Sequence, residues 1–275
     1  MQVRFPKWDF SGLRAHWAPH HEFAQIHNAA STVPAYIEPY LLKVMRLAKD
    51  KIDRSDTALH MKLDIFIKQE MQHCKLHLAF NKAIHADGYE GMLPIEKQYE
   101  ADYEDYLKNK SLRFNLAYSE GFEAMSSIAV TNFFEEFDHY MEGADPRAVA
   151  MWKWHLAEEF EHREVAFDVY HALYGNGLFA WLYRLYGFYC AITHIRRHTQ
   201  RVTGYLLAKD REGMSESELA ASVERERDVA SRTSKRAKEH LKAIISWSYD
   251  PAKRPAPRGL QVHLDQLTSE LARAA

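Results

Sequence analysis

Two Glu-x-x-His motifs limit the folds open to this 275-residue chain: Glu70-x-x-His73 and Glu159-x-x-His162. Both lie in long segments without glycine, in which apolar residues recur at helical spacing. Residues three apart in an α-helix lie side by side, so the carboxylate and imidazole of each motif could reach one metal ion. Each motif is therefore predicted to lie on a helix and to present two metal ligands.

The composition predicts an all-α protein with a substantial core. Apolar residues make up 47% of the chain, and only 11 glycines and 9 prolines interrupt segments rich in good helix formers. We predict three parts: an N-terminal arm at 1–30, a metal-binding helical bundle with a fifth helix at 31–208, and a charged C-terminal helix and tail at 209–275.

The predicted helices suit a four-helix bundle of the ferritin-like type. They cover about 33–51, 57–87, 112–142 and 146–175. The connection at 92–110, between the second and third helices, has the length that a bundle with one long crossover needs. A fifth helix is predicted over 178–195, buried in the protein and not in a membrane, because Arg184 would be costly near the centre of a bilayer.

The chain also contains a short internal repeat. Residues 69–73 parallel residues 158–162, and glycine follows the glutamate of each motif at the same interval, at Gly88 and Gly177. The two pairs of helices are therefore predicted to be related halves.

Binuclear carboxylate bundles take one further glutamate from each of the other two helices. On the first helix the candidate is Glu38, which lies in an apolar context and would need a partner if buried. On the third helix, Glu120 and Glu123 share a face; we favour Glu120 and keep Glu123 as an accessory or bridging residue. His155 would extend the second motif's stripe of ligands, with an orienting role as the alternative, and His77 is an accessory candidate.

Two further patterns are expected to lie outside the site. Glu136-x-x-His139 repeats the motif, but it lies 16 residues beyond Glu120, which is about 24 Å along a helix. His194 and His198 are one turn apart but flank two arginines, which would repel a cation, so we expect them at the surface.

The ligand set predicts the kind of metal. Mixed imidazole and carboxylate ligands suit iron, manganese or zinc better than magnesium or calcium. We expect two divalent ions, with iron favoured and manganese or zinc as alternatives.

The net charge limits the kinds of binding partner, and the cysteine content limits the cellular compartment. The formal net charge of −2 gives no basic footprint for nucleic acid, so we expect a small-molecule substrate. Two cysteines make no disulfide framework, and the N-terminus has no apolar run typical of a signal peptide, which favours the cytoplasm. Contact with a membrane is not expected, and a homodimer formed through the charged C-terminal helix stays open.

The motifs with their surroundings resemble those of ferritin-like proteins known as predicted metal-dependent hydrolases. The similarity lies in Pro34–Glu38, Phe66–His73 and Trp154–Tyr170, and it extends from Ser31 to the end of the fifth helix. The family tends toward Glu-His-Phe-Thr-Ala in the third helix, where this chain has Glu-Gly-Phe-Glu-Ala from Glu120. The spacing His155-x-x-x-Glu159-x-x-His162 is also similar to the ligand set of di-iron arylamine N-oxygenases.

Three functions fit such a site. We favour a di-iron enzyme that activates O2 and oxidises a small organic substrate, with the metals supplying the redox chemistry. A metal-dependent hydrolase, which the resemblance implies, could use the same ligands to activate water. A non-catalytic metal-binding bundle is the third alternative.

Overall fold

The fold is known from a computed structural model that describes residues 1–235 and 237–274. Within these residues the regular structure is entirely helical, without any strand, so the predicted all-α class is confirmed. The α-helices are α1 (His21–Lys49), α2 (Thr57–Ile84), α3 (Leu93–Asn109), α4 (Leu112–Glu135), α5 (Asp138–Met141), α6 (Pro146–His162), α7 (Val165–Tyr174), α8 (Leu178–Asp210), α9 (Glu216–Lys235), α10 (Ala237–Ile245) and α11 (Leu260–Ala274).

Side-chain caps explain where several of these helices begin. The Asp56 carboxylate accepts a hydrogen bond from the Leu59 backbone N–H at the start of α2. Asp145 caps α6 in the same way, and Pro146 occupies the first helical position, where no N–H is needed. Both predicted starts are confirmed.

The first helix begins earlier than predicted, at His21 instead of about residue 33. The His20 ring caps it by accepting from the Phe23 backbone N–H, and Phe23 is fully buried. Pro34 and Pro39 lie inside the helix, although proline usually ends one. Residues 21–30 are therefore helical, and the prediction of an irregular arm is wrong for them.

Other boundaries also differ from the sequence prediction. The predicted third helix ends at Glu135 and is followed by the short α5, and the predicted fourth helix breaks after His162 into α6 and α7. The crossover is almost wholly helical, as α3. The fifth helix, α8, continues to Asp210, and only one of its faces is buried, since Phe179 is 80% exposed.

The helices pack so that polar residues can meet between two apolar layers. Helix α1 lies against α2, α4 lies against α6 and α8, and α2 contacts α6 and α7. Along α2, one buried apolar cluster ends at Phe66 and another begins at Leu76. The interval between them carries Glu70 and His73, which places the first motif in a polar layer of the interior.

Two further predictions concern membrane-spanning helices and the pair His194 and His198. None of the helices in the described residues is both long and apolar enough to cross a membrane. His194 and His198 were expected at the surface but are buried, because Tyr118 hydrogen-bonds the first and Thr32 the second. The ferritin-like relationship and the remaining domain boundaries stay predictions.

Candidate metal centre

Seven carboxylate and imidazole side chains meet in the polar layer between α1, α2, α4 and α6. Each of them is at most 4% exposed to solvent. They are Glu38 from α1, Glu70 and His73 from α2, Glu123 from α4, and His155, Glu159 and His162 from α6. The structure thus brings both Glu-x-x-His motifs into one cluster, as the sequence predicted.

One group of four side chains forms the first potential metal position. Atoms of Glu38, His73, His155 and Glu159 lie within 4.8 Å of one another. His155 Nε2 is 3.5 Å from Glu38 Oε1 and 3.0 Å from Glu159 Oε1. His73 Nδ1 is 3.7 Å from the same oxygen of Glu159. These atoms converge as the ligands of one ion would.

A second group adjoins the first and shares a residue with it. Glu70, Glu159 and His162 also have ligand atoms within 4.8 Å of one another. His162 Nε2 is 3.0 Å from Glu70 Oε1 and 3.4 Å from Glu159 Oε1, and it is 3.5 Å from Glu123 Oε2. Glu159 belongs to both groups, and its Oε1 faces His73, His155 and His162.

The polar atoms of this cluster fit divalent cations. Buried polar atoms normally have hydrogen-bond partners, and an unpaired buried charge is expensive. In the described part of the chain, however, many of the cluster's ligand atoms have no hydrogen bond. They are both carboxylate oxygens of Glu38, Glu70 and Glu123, together with Glu159 Oε2, His73 Nδ1 and His162 Nε2. Four buried carboxylates also supply negative charge that divalent cations would neutralise.

The pKa shifts within the cluster also indicate a site for cations. Burial and the neighbouring Glu70 raise the pKa of Glu38 well above its ordinary value. Burial and the charge of Glu159 raise the pKa of Glu123 to about 8. Burial would lower the pKa of His73, but the hydrogen bond to Glu158 and the negative charges of Glu70 and Glu158 outweigh it and raise that pKa to about 9. Without cations, protons have to neutralise the cluster, and binding of cations would release them.

The residue that precedes each motif's glutamate holds the histidine of the other motif. His73 Nε2 donates to Glu158 Oε2 over 3.1 Å, and His162 Nδ1 donates to Gln69 Oε1 over 3.2 Å. These bonds leave His73 Nδ1 and His162 Nε2 facing the carboxylates. Such outer hydrogen bonds fix the orientation of a ligand imidazole and raise its basicity. The crossed arrangement is the structural counterpart of the repeat in the sequence.

A chain of polar side chains orients the third histidine. Asn81 Nδ2 donates to the Ser31 carbonyl, so Asn81 Oδ1 faces Ser31 Oγ and accepts its hydrogen over 2.7 Å. Ser31 Oγ must then accept from His77 Nδ1, 2.8 Å away. With its Nδ1 protonated, neutral His77 accepts at Nε2 from His155 Nδ1, 2.5 Å away.

This order places a proton on His155 Nδ1, and His155 Nε2 then faces Glu159 Oε1 over 3.0 Å. Burial and the neighbouring His155 hold the pKa of His77 well below its ordinary value, which keeps His77 neutral. His77 lies outside both groups of ligand atoms and acts on the site through His155.

The structure does not bring the third-helix residue that we favoured from the sequence into the cluster. Glu120 lies outside the cluster, where its Oε1 accepts from Arg184 Nη1 over 2.9 Å, while Glu123 faces His162. The two glutamates are about 60° apart around a helix, so they share a broad face but not the same neighbours. Glu136 and His139 are not on one helix, because α4 ends at Glu135.

Sequence reasoning missed the outer residues Gln69 and Glu158. Both stand directly before a motif glutamate, at equivalent positions of the internal repeat. The repeat therefore carried a signal for them, although it did not show that their contacts cross between the halves.

A family described as "Predicted metal-dependent hydrolase" matches residues 2–254. No curated protein and no solved structure matches the chain. The match spans both Glu-x-x-His motifs, every side chain of the cluster and the N-terminal segment that covers it. The chain therefore belongs to the family of predicted metal-dependent hydrolases.

Proposed function

We propose that this chain is a hydrolase with a binuclear metal centre that acts on a small-molecule substrate. The observation that carries the proposal is the position of Glu159, which is shared by two adjoining groups of buried ligand atoms. The family description supports hydrolysis as the reaction. The donor set supports iron, manganese or zinc as the metal, with one ion in each group.

Divalent ions bound there would lower the pKa of a coordinated water molecule, so that hydroxide is present near neutral pH. The protein residues supply geometry and charge. Glu38 and His155 would complete one position, Glu123 and His162 the other, and Glu70 lies between His73 and His162. Burial of every ligand keeps bulk solvent from competing for the metals.

The oxygen-activating di-iron interpretation receives no support beyond the ligand spacing on which it was based. Its ligands are the same as those of a hydrolase, and the family description favours hydrolysis. Oxidation is therefore an alternative outcome of the experiment below, and not our proposed function.

The test is to load metal-free protein separately with Fe2+, Mn2+ and Zn2+ and assay chromogenic carboxylic and phosphate esters, with and without O2. We expect hydrolysis with at least one metal, loss of activity with a chelator, and 18O in the product from labelled water. His162→Ala should abolish the activity. His139→Ala, in the third Glu-x-x-His pattern, should leave it unchanged, because His139 is exposed.

Two results would contradict the proposal. Product oxygen derived from 18O2, together with consumption of O2, would identify an oxygenase. Protein that binds no metal under any of these conditions would remove the basis of both functions.

A further inference from the structure

Arg4, in the N-terminal segment, is buried beside the metal centre although it touches none of the ligands. Its side chain is 5% exposed. Arg4 Nη1 donates to Glu158 Oε1 over 3.0 Å and to Glu161 Oε2 over 2.9 Å, and Nη2 donates to Glu161 Oε1 over 3.0 Å. One guanidinium therefore holds two carboxylates that flank Glu159 on α6.

Each of these carboxylates leads to a different histidine of the cluster. Glu158 accepts the hydrogen bond from His73 Nε2. Glu161 Oε2 accepts from Gln69 Nε2 over 3.0 Å, and the other end of the same amide, Gln69 Oε1, accepts from His162 Nδ1. The contacts of Arg4 thus continue, through one or two side chains, to the histidines of both motifs.

The two ends of the chain meet at the same place. Arg4 Nε donates to Thr268 Oγ1 in α11 over 3.1 Å. The Gln2 carbonyl accepts from both Arg4 Nη1 and Gln69 Nε2, each over 3.1 Å. The segment is therefore fixed by side-chain and backbone hydrogen bonds directly above the outer residues of the cluster.

We propose that Arg4 is a positioning residue of the metal centre, which holds Glu158 and Gln69 so that His73 and His162 keep their ligand nitrogens aimed at the metals. This inference rests on the proposed binuclear centre. Without Arg4, two more carboxylates would stand unneutralised beside a cluster that already contains four. Glu158 and Gln69 could then turn away, and both imidazoles would lose the bonds that set their orientation.

Cobalt(II) is a suitable probe, because its absorption bands depend on the ligands around it. The experiment measures cobalt per chain, the visible spectrum and the rate of cobalt release to a chelator for the full-length protein. We expect Arg4→Ala to shift the bands and to speed release by about 10- to 100-fold, the range typical of lost outer hydrogen bonds. The band shift and the release rate of Arg4→Lys should lie between those of the unaltered protein and Arg4→Ala, since one ammonium cannot span both carboxylates.

Arg14→Ala is the matched control. Arg14 lies in the same segment and pairs with Asp87, but its side chain is 78% exposed. This variant should keep the spectrum and release rate of the unaltered protein. If Arg4→Ala does not fold, Arg4→Lys and Glu158→Gln provide the same comparison, because both nearly keep the side-chain size while lysine cannot span both carboxylates and a glutamine amide cannot accept from both Arg4 and His73.

The outcomes separate the inference from the proposed function. If the unaltered protein binds cobalt and the Arg4 and Glu158 variants match it in spectrum and release, the role of Arg4 is refuted and the metal centre stands. If the unaltered protein binds no cobalt, iron, manganese or zinc, the proposed function fails together with the inference.

Discussion

Arg184 Nη1 donates to Glu120 Oε1 over 2.9 Å in the interior, between α8 and α4. The two side chains are 1% and 2% exposed. Burial raises the pKa of Glu120, and the charge of Arg184 partly offsets this effect. Arg184 also donates to the Ile244 carbonyl and lies over the Tyr249 ring, 4.9 Å from its centroid. The charge within the apolar fifth helix is thus explained by an ion pair.

Substitutions in this ion pair should change the stability of the protein but not its metal content. Arg184→Met should lower the free energy of unfolding by about 3–5 kcal/mol, because it leaves the Glu120 carboxylate buried without a partner. The double variant Arg184→Met/Glu120→Gln should recover much of the loss. Urea unfolding measures both effects. A loss of metal on Glu120→Gln alone would instead show that Glu120 is a ligand.

The sharing of Glu159 predicts how many metals each glutamate variant retains. Glu159→Ala should remove both of the ions that we propose, because the residue belongs to both groups of ligand atoms. Glu123→Ala should weaken only the position at His162 and leave up to one ion per chain. Elemental analysis after desalting gives the counts, with His139→Ala as the control. Equal metal content in the two glutamate variants would refute a bridging role for Glu159.

Close packing of α4 on α8 predicts that one glycine cannot be replaced. A Cβ at Gly187 would lie 2.4 Å from the Ala117 backbone carbonyl carbon, which cannot move as a flexible side chain would. Gly187→Ala should therefore destabilise the protein by roughly 1–3 kcal/mol or more through overpacking.

The control for this substitution lies in the same helix. Gly204 has open space around it, so Gly204→Ala should stabilise the protein by up to about 1 kcal/mol through helix propensity. Thermal and urea unfolding of the two variants should move in opposite directions. The same sign for both would contradict the packing argument.

The all-α class, two of the helix starts and the faces of the two motifs could be predicted from the sequence, because they depend on local spacing. The Asp145-Pro146 start and the two Glu-x-x-His faces follow from rules that involve only neighbouring residues. The choice between Glu120 and Glu123 depends on where Arg184 packs, which is a tertiary contact. Local rules therefore gave no basis for choosing the glutamate that faces the cluster.

The contacts of the residues around the metal ligands could not be predicted either, because they join distant parts of the chain. Arg4 is 154 residues from Glu158 in the chain, and no periodic pattern connects an N-terminal segment with a helix so distant. The predicted start of the first helix differs from the observed one for another reason. The predicted helix began where the regular apolar spacing begins, near residue 33, but the His20 cap and the packing of Phe23 in the core start the helix at His21.

His27 predicts a loss of stability in acid that is independent of the metal centre. Its ring lies among Phe133, Phe137 and Trp152. Burial lowers its pKa to about 4, although the bond to the Phe23 carbonyl opposes the shift. The unfolded chain has the ordinary value near 6.5 and binds the proton more readily, so stability is complete above that pH and falls as the pH drops toward 4.

Between pH 7 and pH 5 the His27 contribution amounts to about 2 kcal/mol, from ~1.36 kcal/mol per pKa unit over roughly 1.5 units. His27→Gln can still donate to a carbonyl but cannot take up a proton. Its free energy of unfolding should therefore drop by about 2 kcal/mol less than that of the unaltered protein over this range. Urea unfolding of metal-free protein at both pH values measures the difference. The exposed His139→Gln variant should retain the full acid sensitivity, and an equal drop in His27→Gln would show that His27 is not the group responsible.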